Sequence, residues 1–367
     1  MITLLLGTRA EVIKTSPIIR ECERAGCDYF IIHSGEHYSY ATDKAFLERL
    51  GIPSAKYHLD AGSGTHAEQT AKILVGVEDI LMAEEPDMVI VEGDTNTVLA
   101  SALAAAKLQI PVGHVEAGLR SHDPRMPEEI NRVLTDHCAT LLFAPTERSR
   151  KTLLDEGIPK KNVFLTGNTI VDAVRQNLKL ADKTAVFDDL GLEAGCYVLA
   201  TIHHKENTEN PVRLAGIIEG LRMVSNELDL PVIYSIHPLA NKKMDESELR
   251  ANGIRLVGPI DYLNFLRLES GAKMVMTDSV SVQEEACVLK VPCVTLRDKT
   301  ELSETLEVGA NMLAGSDPYQ ILECARTMAE NGSSPKNLFG DGRAGENIVK
   351  LIKDNIDADR KDPVVDG

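Results

Sequence analysis

Tryptophan is absent from this chain and aromatic residues make up only 4% of it, so no broad platform exists for stacking nucleic-acid bases. Polybasic runs are missing as well. Lys and Arg number 39 against 56 Asp and Glu, a net charge of −17, whereas a phosphate-backbone binder needs the opposite balance. An anionic small substrate is compatible with this, provided its charge is met locally. The opening stretch MITLLLGTRAEVIK is apolar too briefly for a transmembrane helix and lacks a signal-peptide cleavage region, so no membrane insertion is expected. The seven cysteines (22, 27, 138, 196, 287, 293 and 324) are odd in number, scattered and never spaced C-x-x-C. That pattern reads as reduced, mostly buried thiols in a cytoplasmic protein.

What is present is a long alternation of short apolar runs and amphipathic stretches. At 367 residues the chain exceeds the size at which single cores stop growing, so two cores are expected. The first set of expected strands is 2–6, 29–33, 88–92, 112–115, 141–144 and 163–167. Helical periodicity lies between them, as in HAEQTAKILVGVEDILMAEE (66–85) and NTVLASALAAAKLQ (96–109). Thr65 followed by Glu68 forms a capping-box pattern ahead of the first of these. After a polar stretch near 180–195 a second set begins, with strands at 196–202, 232–236, 254–257, 274–277 and 293–296. Continuous apolar strands imply parallel sheets covered on both faces. The expected class is α/β, with two doubly wound Rossmann-like domains whose ligands bind beyond the carboxyl ends of the strands, in a cleft between them.

Two motifs are decoys. HSGEH (33–37) has the H-x-x-E-H spacing of a zinc helix, but His33 ends a strand and Gly35 breaks the run, so no metal site is expected. GSGTHA (62–67) fits a dinucleotide fingerprint but follows only KYHLD, a poor buried strand; a turn into a helix N-cap explains it better. No cofactor is expected.

The ends of the strands carry the chemistry. Gly7, Arg9 and Lys14 follow the first strand, where Arg9 suits a phosphate or carboxylate fork and equally suits a solvated helix start. Asp94 stands at the tip of another strand, with either Asp94 or Thr95 as cap of the next helix. Glu116 stands at the tip of VGHV, and MPEEINR then opens a helix with Pro127, Glu128 and Glu129 in its first turn. The helix dipole alone favours acidic residues there, yet three carboxylates at converging ends suit proton transfer. In the second half, ATIHHKEN puts His203, His204, Lys205 and Glu206 after a buried strand. TDSVSVQEEA ends a strand in hydroxyl residues and opens a helix whose N–H groups suit a diphosphate.

Taken together, LGTRAEVIK, EGDTNTVLA, GHVEAGLRS…MPEEINR, TGNTIVDA, IHHKEN and TDSVSVQEEA closely resemble the non-hydrolysing UDP-N-acetylglucosamine 2-epimerases, especially their archaeal branch. The similarity runs in order through nearly the whole chain. It implies the glycosyltransferase-B arrangement, with a first domain over 1–170, a UDP-binding domain over 171–344, and a terminal helix near 345–360 returning to the first. It also implies a cytoplasmic homodimer that interconverts UDP-GlcNAc and UDP-ManNAc without NAD. Carried over by motif, Asp94, Glu116 and Glu128 are the acid/base carboxylates and His203 the interdomain histidine. Arg9 and Lys14 meet the nucleotide-sugar, Ile260 and Phe265 receive the uracil, residues Ser279, Val280 and Ser281 underlie the diphosphate, and Glu285 holds the ribose. Arg132 and His237 complete the substrate-binding set.

The chain departs from the family pattern at three places. Ser279-Val280-Ser281 stands for Ser-Gly-Gly, Leu302 replaces a diphosphate-side arginine, and His204 stands where the family has arginine. Weaker diphosphate binding or a changed substrate follows, the alternative being UDP-2,3-diacetamido-2,3-dideoxyglucuronate. A UDP-sugar glycosyltransferase or a non-catalytic UDP-sugar sensor are readings of other classes.

Overall fold

The computed structural model describes residues 1–36, 40–236, 253–332 and 338–361. His37, in the zinc-like pattern, and His237, in the expected substrate set, lie outside these. The chain divides into two compact units, one made of Met1–Ala173 with Phe339–Gly367 and the other of Val174–Leu338.

The first unit is built on a seven-stranded parallel sheet in the order β3-β2-β1-β4-β5-β6-β7. Its strands are β1 (Ile2–Leu6), β2 (Tyr29–His33), β3 (Tyr57–His58), β4 (Met88–Glu92), β5 (Val112–Val115), β6 (Leu141–Ala144) and β7 (Val163–Leu165). Every residue of β1, β4, β5 and β6 is buried, as expected of a sheet covered on both faces. On one face Ile73, Val77 and Leu81 of the His66–Glu84 helix pack with Leu5, Ile32, Val89 and Val91, and with alanines of the Asn96–Lys107 helix. Thr65 caps the first helix in a complete capping box with Glu68. Thr95, rather than Asp94, caps the second, which leaves the Asp94 side chain for other work.

The second unit has a six-stranded parallel sheet, β10-β9-β8-β11-β12-β13. Its strands are β8 (Val198–Thr201), β9 (Val232–Ser235), β10 (Ile254–Val257), β11 (Met274–Thr277), β12 (Cys293–Thr295) and β13 (Asn311–Leu313). Alternate residues of β8 serve two cores: Val198 and Ala200 face Ile217, Leu221 and Val224. Leu199 lies instead with Leu268, Val275 and Ala286. Within each unit the strands follow one another as 3-2-1-4-5-6, so the order reverses between β1 and β4 and again between β8 and β11. Ligands of such sheets sit outside the carboxyl ends at that reversal.

Two strands escaped the sequence reading. β3, in the KYHLD segment, and β13 have two and three residues at the sheet edges, too short for an apolar run. The terminal helix Ala344–Lys361 packs on the Arg9–Arg24 helix. Asp172 accepts hydrogen bonds from the Ala344 and Gly345 N–H groups, each at 3.2 Å. Gly345 is required by this packing, because a Cβ there would lie 2.9 Å from the Pro17 carbonyl oxygen. No helix among the described residues is long and apolar enough to cross a membrane.

Candidate active site

In the first unit the reversal point is crowded with ionisable groups. Beyond β1, Thr8 caps the Arg9–Arg24 helix and the Gly7 N–H donates to Glu11 Oε2 at 2.5 Å. Gly7 has no room for a side chain, since a Cβ would come within 2.3 Å of Thr97 Oγ1. Glu11 is 2% exposed. Burial, then the charge of Glu36, pushes its carboxyl up to about 8. In the second turn of the helix, Lys14 reaches the residue after β5 and donates from Nζ to Glu116 Oε1 at 2.6 Å. Asn168 Nδ2 donates to the same oxygen at 2.8 Å. Burial alone would raise the Glu116 carboxyl, but Lys14 and Asn168 outweigh it and hold it below the ordinary carboxylate range.

Glu116 adopts a left-handed backbone (φ 67), a strain of about 1–3 kcal/mol for a side chain of this kind. The surrounding network enforces it. His114 Nδ1 and the Gly118 N–H meet the two oxygens of Asp136 at 2.6 and 3.1 Å, and Arg120 pairs with Asp136 at 2.7 Å. Burial opposes the Asp136 charge, yet His114 and Arg120 keep its carboxyl below the usual range. Gly118 cannot be replaced, because its φ is +86 and a Cβ would sit 2.3 Å from the Ser149 carbonyl oxygen.

Asp94, 30% exposed at its side chain, pairs with Arg132 at 2.7 Å. Burial raises its carboxyl above the ordinary value in spite of that arginine. Arg132, expected to bind substrate, is itself 7% exposed and bridges Asp94 to Glu129, whose Oε2 lies 2.8 Å away. Glu129 also accepts the Ser121 and His122 N–H groups. The adjacent Glu128 points outward from the same helix and is exposed, so of the two first-turn glutamates Glu129 builds the loop and Glu128 stands free of it. Arg9 stacks over the Phe46 ring at 5.3 Å.

In the second unit His203 is exposed at the end of the β8 loop. That loop is held by Asp278, which follows β11 and accepts the N–H groups of His203 and His204 at 2.9 and 3.0 Å and Asn207 Nδ2 at 3.0 Å. Ser279 caps the Val280–Leu289 helix, accepting from the Val282 N–H, so Val280 and Ser281 form its first turn. Glu285 is buried at 3% exposure and lies against Glu269, whose carboxyl is pushed well up by burial and then by the charge of Glu285. Ile260 and Phe265 are half-buried against the Tyr197–Leu199 core. Leu302 is 1% exposed, so an arginine there would have to bury its guanidinium. Arg297 is no substitute cation, being forked onto Glu301 at 2.9 and 3.2 Å. Among the described residues, no group of three or more His, Cys, Asp or Glu is arranged to hold a metal ion.

A family model described as UDP-N-acetylglucosamine 2-epimerase matches residues 20–353. The chain belongs to that family. It is 50% identical to the UDP-N-acetylglucosamine 2-epimerase of Methanocaldococcus jannaschii over 96% of this chain and 98% of that one. The crystal structure of the M. jannaschii enzyme in complex with UDP-GlcNAc and UDP superposes with a TM-score of 0.87 at 49% identity, covering 96% of this chain and 99% of that one. A UDP-2,3-diacetamido-2,3-dideoxy-D-glucuronate 2-epimerase of Pseudomonas aeruginosa is 37% identical over 96% of this chain and 99% of its own. Members of this epimerase family are isomerases with two Rossmann-like sheets of the glycosyltransferase-B type, and so is this chain. Around these groups, sequence reasoning named Glu129 only as a first-turn acid of the MPEEINR helix and singled out none of Glu92, Asn168, Asp136 and Asp278. Of these four, Asn168 had a signal, as the amide in TGNTI just beyond a strand end.

Proposed function

We propose that this epimerase interconverts UDP-N-acetylglucosamine and UDP-N-acetylmannosamine by anti elimination of UDP and re-addition through 2-acetamidoglucal. The observation that carries the reading is the ionised, doubly hydrogen-bonded Glu116 beside Asp94 at the reversal point of the first sheet. A carboxylate base takes the C2 proton while the C1–O bond to UDP breaks, leaving the glycal and UDP. A second carboxyl group, on the opposite face and in its protonated form, gives its proton to C2 as UDP adds back at C1, and is left ionised. Glu116, Asp94 and Glu128 are the groups for these transfers, with His203 beside the leaving UDP. The C2 proton is weakly acidic, which is why desolvation around these carboxylates matters.

Arg9, Lys14 and Arg132 supply positive charge on the side of the first unit, Lys14 and Arg132 while also holding Glu116 and Asp94. Ile260 and Phe265 take the uracil, Glu285 the ribose, and the first turn of the Val280–Leu289 helix the diphosphate, where N–H groups and the helix dipole favour anions. The reading includes no cofactor and a cytoplasmic homodimer. Exposed Val75 and Met82 on one helix and Ile130 and Leu134 on another offer the first unit apolar surface for a second copy.

Incubation with UDP-GlcNAc in D₂O tests the mechanism. NMR should find deuterium at C2 of the epimerised sugar with no NAD added, and protium fully retained at C2 would refute it. The diacetamido-glucuronate sugar is the second reading, favoured by Val280, Ser281 and Leu302. Turnover of that sugar without turnover of UDP-GlcNAc would select it. A glycosyltransferase would need an acceptor before releasing UDP, and a sensor would show no turnover.

A further inference from the structure

Glu92, the last residue of β4, is a carboxyl inside the sheet. It is 2% exposed, pairs in register with Val115, and is thus one residue across from Glu116. Its Oε1 accepts no hydrogen bond and stands 4.0 Å from Lys14 Nζ, whereas Glu116 Oε1 takes that ammonium at 2.6 Å and the Asn168 amide at 2.8 Å.

Two desolvated carboxylates facing one ammonium would leave a net negative charge in the interior, which is costly. One proton on the pair brings the three groups to neutrality. The donors decide where it sits. Lys14 and Asn168 both serve Glu116, so Glu116 is the ionised member and Glu92 the neutral one. Burial and the Glu116 charge push the Glu92 carboxyl well up, more than Lys14 pulls it down. Two other carboxylates lie near the pair. Glu11, on the helix that carries Lys14, adds negative potential at Glu92. Asp94, two residues on, is balanced by Arg132.

We propose that Glu92 is a positioning residue for Glu116: its neutral carboxyl donates the O–H to the Glu116 carboxylate at Oε2, the oxygen that Lys14 and Asn168 leave open. The donation keeps Glu116 ionised near neutral pH and fixes the oxygen that meets the sugar. This rests on the reading of Glu116 as a proton-transfer group, which Glu116→Gln tests separately.

The experiment is a pH profile of UDP-GlcNAc epimerisation for wild type, Glu92→Gln and Glu92→Leu, alongside Glu116→Gln. Gln keeps an N–H donor for Glu116, and Leu removes it. Expected is an acid limb of kcat/KM shifted upward by about one pH unit in Glu92→Leu, a tenfold loss at pH values below the limb. Glu92→Gln should restore the wild-type limb. Difference infrared spectra at pH 7.5 should also show a neutral-carboxyl band in wild type that Glu92→Gln lacks, a readout independent of activity and available even if Glu92→Leu does not fold. An acid limb unmoved in folded Glu92→Leu, or no neutral-carboxyl band in the wild-type-minus-Glu92→Gln difference, overturns the proposal. Undiminished activity in Glu116→Gln overturns the underlying reading instead.

Discussion

Replacing Glu11 by glutamine should make the protein more resistant to alkaline conditions. The buried Glu11 carboxyl is raised from 4.5 to about 8, so the folded state holds its proton more tightly than the unfolded state does. A raised carboxyl contributes stability that is fully present below about pH 4.5 and is lost as pH rises through about 8. At about 1.4 kcal/mol per pH unit, the loss between pH 5 and pH 9 comes to about 4 kcal/mol. The substituted glutamine still accepts from the Gly7 N–H through its amide oxygen but carries no charge to desolvate. Urea unfolding at the two pH values should therefore show wild type losing about 4 kcal/mol more than Glu11→Gln on going from pH 5 to pH 9. Glu269, also raised, is present in both proteins and cancels in the comparison. Equal pH dependence in the two proteins would refute the reasoning, because it would mean that Glu11 titrates alike folded and unfolded.

Other perturbations follow from the same geometry. Asp94→Asn, Glu116→Gln and Glu128→Gln should each lower kcat by roughly 100-fold or more with the fold retained, as expected of lost acid/base groups; near-native kcat in all three would remove the assignment. Asp136→Asn removes one of the two carboxylates that hold buried Arg120, Glu156 remaining at 2.6 Å, and should cost about 1–3 kcal/mol in urea unfolding, with kcat falling as the Glu116 turn relaxes. Glycine at 280 and 281 together should tighten UDP binding about 10-fold by calorimetry, about 1.4 kcal/mol, since two side chains leave the first turn proposed above to take the diphosphate. Unchanged affinity would mean that the pocket is shaped around Val280 and Ser281.

Much of this architecture could be read from apolar runs. Ile2–Leu6, Tyr29–His33 and Met88–Glu92 form strands with the expected bounds, because a buried parallel strand must be apolar on both faces. β3 and β13 could not be read this way, since two or three residues at an edge carry no pattern. The site was legible as strand tips, but which neighbour faces inward was not. Glu128 and Glu129 differ only by the roughly 100° that separates consecutive helical residues, and the phase is set by Arg132 and the Ser121 turn. Glu92 was hidden inside the strand run MVIVE. Asp136 and Asp278 act through backbone N–H groups of loops distant in sequence, and such contacts leave no local spacing to recognise.

The returning C-terminal helix has a consequence for synthesis on the ribosome. The first unit is interrupted by Val174–Leu338, so its seven strands are all translated before the helix that covers the Pro17 region exists. At roughly 5–20 residues per second, that interval lasts on the order of ten to thirty seconds, during which the second unit emerges and can fold by itself. The nascent first unit must wait with one surface uncovered, and its last piece arrives only after the whole of the second unit has been made. A premature stop anywhere in the second unit therefore damages the first as well. Quality control would see such truncations as failures of the first unit, even though every strand of it had been made.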